Sequence, residues 1–566
     1  MILLGQDNYQ LIAPSEIIKG PKNCPVMTKT ELGWLVHGPL YPYRHREQME
    51  TVHYHQDPQQ PIEDMQKLMH NYFAIEALGV RAPPPLQSCE DKRATEILAK
   101  TTSRIDGRFQ TGLLWKEENV HLPESRVAAT KRLRSIEKRM DRDRKFAEEY
   151  SSKMEHFFKQ NYARAVIEEE LAIGGSRLWF LPHFAVFNPK KPGKLRLVFD
   201  CAARSQGTSL NDVLITGPDY LTSLPKNLFN FRSRPIALTG DIKEMYPQIK
   251  IIPRDQFSQC FLWRGMERES EPKIYMMTSM MFGTKSSPCS AQYIKNINAQ
   301  EFSDRFPEAA NAIINYHYMD NYLDSFSTVS EAKSRYEEVF KIHQQGGFQM
   351  CGWSSNSKEL ISHIPPELTT LDKKDWSIDT EIPAERILGM VWNPNVDTFT
   401  YDLSFYKVRP EILSQAEVPT KRDVCKVVMA IFDPLGLVSH LTIPGKMVLQ
   451  EIWKSKTDWD EPIKHELAVQ WGEFMKNLQK IAKISIPRCY LENTATLTNY
   501  HLHIFSDASA KAYATVAYLV TNFGNLSDVV HQGEVGCERR HMDEGSGIFE
   551  VALIGVANRI SGRNST

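Results

Sequence analysis

Hydrophobic and polar positions change rhythm several times along the chain. Residues 41–70 are polar and rich in His, Gln and Pro, a texture that predicts a linker. Residues 122–173 predict helix, opened by Leu-Pro-Glu-Ser and closed by Gly174-Gly175. From Leu181 to Ile252 short apolar runs take over, punctuated by Pro and Gly: Phe184-Ala-Val-Phe187, Lys194-Leu-Arg-Leu-Val-Phe199 and Pro235-Ile-Ala-Leu-Thr239. Ile274–Met281 and Tyr316–Phe326 read as further strands, the second folded at a hairpin turn, with helices over 288–304 and 329–345. Strands interleaved with helices predict an α+β sheet covered on one face. Helical periodicity returns over 421–483, where Trp453, Trp459 and Trp471 are candidate core residues. A β-type stretch follows at His501–Phe505 and Ala514–Val520.

A length of 566 residues predicts three or four domains. The composition, 42% hydrophobic and 24% charged, is that of an ordinary soluble globular protein. No run of 18 apolar residues suggests a spanning helix, and the apolar start Met1–Leu4 lacks the basic flank of a signal peptide. The cysteines are scattered without a Cys-x-x-Cys pair, which predicts reduced thiols in an intracellular protein. His53 and His55 lack a partner at ligand spacing, so the linker reading stands there. A net charge of −1 is uninformative overall, but Arg126–Lys145 holds nine Lys/Arg against three Asp/Glu. That stretch is either a solvated helix face laced by i,i+4 pairs or a phosphate-backbone contact.

Two aspartates stand out chemically. Asp241 closes the apolar run Ile236-Ala-Leu-Thr-Gly-Asp, and Asp320 lies in the turn of Tyr316-His-Tyr-Met-Asp-Asn-Tyr-Leu-Asp324. Nucleotidyl transfer uses two divalent cations roughly 4 Å apart, held by carboxylate oxygens, and these two residues are candidates to hold them.

Ordered stretches surround this pair: Thr239-Gly-Asp-Ile-Lys-Glu-Met-Tyr-Pro-Gln-Ile249, Met281-Phe-Gly-Thr-Lys-Ser-Ser-Pro288, Ala291-Gln-Tyr-Ile-Lys-Asn-Ile-Asn-Ala299 and Tyr318-Met-Asp-Asn321. Their order and spacing resemble reverse-transcriptase palm motifs, most closely those of Bel-Pao class LTR retrotransposon polyproteins. Phe432-Asp-Pro-Leu-Gly-Leu-Val438 and Glu451–Asp460 resemble the segment that follows the polymerase in that class.

The resemblance implies an α+β multidomain chain: a right-hand polymerase palm and fingers with a helical thumb-like region, plus truncated retropepsin-like and RNase H-like segments. It places a protease remnant at 1–40, a linker at 41–75, a mainly helical lead-in at 76–175, fingers and palm at 176–405, a helical thumb or connection at 406–495 and the start of an RNase H-like domain at 496–566. The implied activity is RNA- and DNA-directed DNA synthesis with Mg²⁺ or Mn²⁺ on an RNA template, a DNA primer and dNTPs, inside the cell without a membrane, in the cytoplasm with nuclear access.

Carried over by position, Asp241 and Asp320 match the metal carboxylates. Lys194 and Arg196 match the fingers cations on the triphosphate, Tyr246 the steric gate, and Phe282-Gly283 through Gln292 the loop and helix beneath the incoming base and template. Gly346-Gly347-Phe348 and Leu388-Gly389 resemble the last two palm motifs. Asp507 matches the first RNase H carboxylate and Glu550 the helix Glu that follows. Asp7 is no substitute for the protease aspartate, so no protease activity is expected.

Three departures predict an impaired enzyme. Asn321 stands where the family motif has a second Asp, losing a charge with a side chain that suits a tight turn. Pro247 after Tyr246 removes a backbone donor, and both flanking segments are truncated. The rival expectation is a catalytically inactive nucleic-acid-binding relic.

Overall fold

The computed structural model describes residues 15–19, 26–30, 33–37, 88–187, 195–370, 381–490, 497–508, 512–523 and 547–551. The chain divides into two compact units, Met1–His55 and Gln56–Thr566. In the first, β1 (Glu16–Lys19), β2 (Val26–Thr30) and β3 (Gly33–His37) form an antiparallel meander in that order. Asp7, His53 and His55 lie outside the described residues.

The second unit begins with α1 (Cys89–Thr101), capped reciprocally by Ser88 and Asp91. After β4 (Ser103–Ile105) and β5 (Arg108–Thr111) come α2 (Arg126–Arg142) and α3 (Arg144–Lys159). Asp143 separates these helices and caps the second, accepting from the Phe146 N–H at 3.0 Å. The expected helix over 122–173 is therefore interrupted. Asn161 turns at φ +55°, and β6 (Ala163–Val166) pairs antiparallel with a strand over a hundred residues away, Ala163 opposite Met277. Long-range main-chain pairing outweighs local helix preference there.

β7 (His183–Phe187) and β8 (Leu195–Phe199) form a hairpin. Then follow α4 (Leu224–Phe231), β9 (Ile236–Ile242), β10 (Lys250–Ile251), β11 (Cys260–Trp263), β12 (Lys273–Met277), α5 (Ser287–Gln300), β13 (His317–Tyr318), β14 (Asn321–Phe326), α6 (Val329–Gln345) and β15 (Met350–Ser355). The sheet that matters for function runs β13-β14-β9-β15, all neighbours antiparallel.

Both faces of this sheet are covered, not one as expected. The two-residue period sorts the side chains. Leu238, Ile242, Tyr322 and Phe326 enter the main core with α5 and α6, while Ala237 and Leu323 pack on the other side with Leu228, Phe231, Trp392 and Phe399. That second cover comes from α4 and a small sheet of β16 (Glu385–Ile387), β17 (Met390–Asn393), β18 (Thr398–Thr400) and the later β19 (Ile486–Pro487).

Between β18 and β19 lie α7 (Lys421–Ala430), α8 (Ser439–Lys454) and α9 (His465–Ile481), with their own core. Trp459 and Trp471 are buried in it, and Trp453 stacks under the Lys421 ammonium at 3.7 Å. Finally β20 (Leu497–Ala508), β21 (Tyr513–Phe523) and β22 (Gly547–Val551) form an antiparallel sheet. Glu550 thus lies in a strand, its backbone opposite Tyr518, and not on the helix the sequence suggested. Among the described residues no helix is long and apolar enough to cross a membrane, and none of the seven described cysteines is in a disulfide.

Candidate nucleotidyl-transfer site

Alternation along β9 determines what Asp241 can do. It shares a face with Ala237 and Thr239, which are covered: Ala237 is in the apolar cluster and the Thr239 hydroxyl donates to Glu385 at 3.0 Å. Asp241, two residues further on, is only half-buried. Across the ladder it pairs with Asn321 on one side and Cys351 on the other. Neighbouring antiparallel Cα atoms lie about 5 Å apart, so these three residues form a row across the sheet end.

Asp320 joins the row from the hairpin. His317 pairs with Tyr322 and Tyr318 with Asn321, leaving Met319 and Asp320 as a two-residue turn with Met319 at φ +59°. A left-handed Met is strained, at a cost on the order of 1 kcal/mol or more, and two contacts hold it: buried Gln292 of α5 donates to the Met319 carbonyl at 3.0 Å, and Ile242 N–H donates to the Asp320 carbonyl at 3.0 Å. Asn321 is therefore the first strand residue, not a turn residue. What it contributes is an amide donating to Asp320 Oδ1 at 3.2 Å.

Burial holds the Asp320 carboxyl above its usual range, against the opposing pull of its own backbone amide and of Arg196. Burial also raises the Cys351 thiol, with Asp241 the next cause and Asp320 adding to it. These couplings bring Asp241, Asp320 and Cys351 into one electrostatic neighbourhood. Nearby acids are engaged elsewhere. Glu244 accepts from Tyr162 at 3.1 Å and pairs with His156 at 2.9 Å. Buried Asp324 accepts from the Tyr322 hydroxyl at 2.7 Å and the Ser325 N–H at 2.8 Å. Among the described residues no three His, Cys, Asp or Glu side chains gather to hold a metal ion. Asp241 and Asp320 suit a hard cation in kind, and the third position of the row is a neutral amide.

The residues assigned to the nucleotide fall around this end of the sheet. Arg196, exposed on β8, is near enough to act on Asp320. The Tyr246 ring is buried and packs on half-exposed Phe282, centroids 4.7 Å apart; its hydroxyl has no hydrogen-bond partner among the described residues, and Asp320 adds to the burial that raises its pKa. Gly283 has φ +109°, and a Cβ there would strike the Phe199 carbonyl oxygen, so only glycine closes this loop onto β8. Asn211 clamps the loop from both sides, donating to Gly283 O and accepting from Lys285 N–H, each at 3.0 Å. Lys194 lies outside the described residues.

Further along, Leu388-Gly389 is the turn of the β16–β17 hairpin at φ +48° and +97°, and Gly389 abuts the Phe432 ring. Gly346-Gly347 ends α6, Gly347 at φ +75°. Asp433 is structural: its carboxylate accepts from Leu437 and Val438 N–H at 3.0 and 2.8 Å and from the Tyr401 hydroxyl at 3.0 Å. In the last sheet Asp507 is opposite Ala514 and Glu550 opposite Tyr518, four residues along β21 and on opposite flanking strands. At strand spacing those backbones are roughly 16 Å apart, so the sheet does not bring the two acids together.

Sequence reasoning missed Cys351 and Asn211 as parts of this site. Gln292 lies in the stretch from Phe282 that the family resemblance places beneath the incoming base, whereas Cys351 gains its place only from a strand register that no local pattern announces.

No curated protein matches the chain. Among solved structures it is similar to a foamy viral protease-reverse transcriptase dRH in complex with double-stranded DNA, at 14% identity and a TM-score of 0.41, covering 88% of this chain and 73% of that one. Residues 420–531, from α7 through β21, match the family described as the Pao retrotransposon-like RNaseH-like domain, which relates this part of the chain to retrotransposon polyproteins.

Proposed function

We propose that the chain is the reverse transcriptase of a Bel-Pao class retrotransposon, an RNA- and DNA-directed DNA polymerase weakened in this copy by Asn321. The sheet β13-β14-β9-β15 would be its palm, the β7–β8 hairpin part of its fingers and α7–α9 its thumb-like region. The observation that carries this reading is the meeting of Asp241 and Asp320 at one end of that sheet, secured by strand register and by Gln292.

Asp241 and Asp320 would hold Mg²⁺ or Mn²⁺, which when bound neutralises phosphate charge and lowers the pKa of the attacking hydroxyl. The rest falls to side chains. Arg196 offers a planar donor fork to a triphosphate. Tyr246, braced by Phe282, would exclude a sugar 2′-hydroxyl and select dNTPs. Gly283 would let the backbone approach the incoming base and template. Such a site works by positioning and charge complementarity, and Asn321 removes one of its negative charges. The Asn321 amide bonded to Asp320 favours a second reading, a relic that binds nucleic acid without extending it.

Primer extension on an RNA template, with Mg²⁺ and with Mn²⁺, separates the two. Slow extension is expected from the wild-type chain, about 10²-fold faster extension from Asn321→Asp and none from Asp241→Ala. Silence from all three would select the relic.

A further inference from the structure

The charge-rich helix α2 resolves into two populations of cations. Its acids are claimed from outside: Glu137 receives Arg264 at 2.7 and 2.9 Å, and Asp141 receives Arg268 at 2.9 Å. No i,i+4 ion pair forms within α2 among the described residues; in the same basic stretch Arg144 pairs with Glu148 one turn on, at 3.0 Å. Arg126 pairs with Glu168 at 2.7 Å and Arg132 with Asp200 at 3.5 Å, while Arg139 lies over the rings of Phe146 and Phe187 at 4.2 and 5.3 Å. Lys131, Arg134, Lys138 and Arg142 remain. All four are exposed, and none forms an ion pair among the described residues.

These four share one face. At 100° per residue they fall within an arc of about 80°, opposite the buried Ala129, Leu133 and Met140. They are spaced three, four and four residues apart over about 16 Å of helix axis, a length that matches roughly five phosphates of one B-form strand. A chain with a net charge of −1 thus carries a straight, uncompensated cationic stripe on a helix fastened to the core by its other side.

We propose that Lys131, Arg134, Lys138 and Arg142 form a track for a nucleic-acid backbone, separate from the groups at Asp241 and Asp320 and independent of whether polymerisation occurs. Regular charge spacing along a rigid rod suits a polyanion of regular charge spacing, read without sequence preference.

The test is the salt dependence of binding by the full chain to labelled single-stranded and duplex oligonucleotides without divalent cations. The variant Lys131→Gln/Arg134→Gln/Lys138→Gln/Arg142→Gln should lower the slope of log K against log salt by about 3, less for single strands than for duplex. Binding is read without divalent cations and without extension, so failed extension and a failed track give different results. An unchanged slope in the quadruple variant overturns the track, and so does poly-glutamate binding as tightly as the oligonucleotide. If the quadruple variant does not fold, Arg134→Cys carrying a photocrosslinker decides: a crosslink to the oligonucleotide that high salt abolishes supports the track, and no crosslink overturns it.

Discussion

The two ends of β9 treat charge in opposite ways. Before the strand begins, buried Arg488 meets Asp397 at 2.7 and 2.8 Å, and its other N–H groups donate to the carbonyls of Phe231, Arg234 and Pro235 at 2.5, 2.9 and 2.8 Å. Asp397 is completed by the Trp392 indole at 2.9 Å and the Asn356 amide at 3.0 Å. The protein itself matches this charge, and the hub ties the β16–β19 sheet to the entry of the central strand. At the far end Asp320 has an amide at 3.2 Å and the more distant pull of Arg196, and burial still holds its carboxyl above the usual range. Charge that is fully answered inside the protein builds structure. A buried carboxyl held above its usual range at a sheet end, as Asp320 is, is suited in kind to a hard cation.

Breaking the first end should have the largest effect. Arg488→Ala strands a carboxylate and three carbonyls, a loss of about 3–5 kcal/mol that would appear as a markedly lower Tm. A Tm within a degree or so of wild type would mean that the hub is dispensable.

A second test uses pH. Burial lowers His183 to about 4 and His343 to about 3, and lowers His317 as well. Their unfolded forms take protons near pH 6.5 that the folded forms refuse, so stability present above 6.5 is lost as pH falls toward 3–4. Asp324 acts in the opposite sense. Burial raises it to about 6, so its contribution is fully present below about 3.8 and lost as pH rises through 6, roughly 3 kcal/mol at most. Asp324→Asn removes this offset, and Tm between pH 6.5 and 4 should fall more steeply than in the wild type. Overlaid profiles would contradict the assignment.

Much of this arrangement was legible in the chain. The apolar run ending at Asp241 and the polar break at Met319-Asp320 announced β9 and the hairpin, because strand period and turn chemistry are local signals. Helix 329–345 agrees to the residue with α6, and the 421–483 helices are where periodicity put them. What failed depends on distant partners. Ala163–Val166 is a strand because β12 pairs with it, Glu550 because β21 does, and the second face of the central sheet is covered by residues 150 positions away. Arg488 and Cys351 carry no sequence signature; one is buried by three segments of chain, the other placed by register.

We propose that Asp241 and Asp320 hold a divalent cation and that the neutral amide of Asn321 weakens that hold. This proposal is tested most directly by Mn²⁺ titration of the full chain followed by electron paramagnetic resonance. Wild type should bind measurably, Asn321→Asp about 10–100-fold more tightly, and Asp320→Asn not at all. Equal binding by all three would place the metal elsewhere and contradict the site.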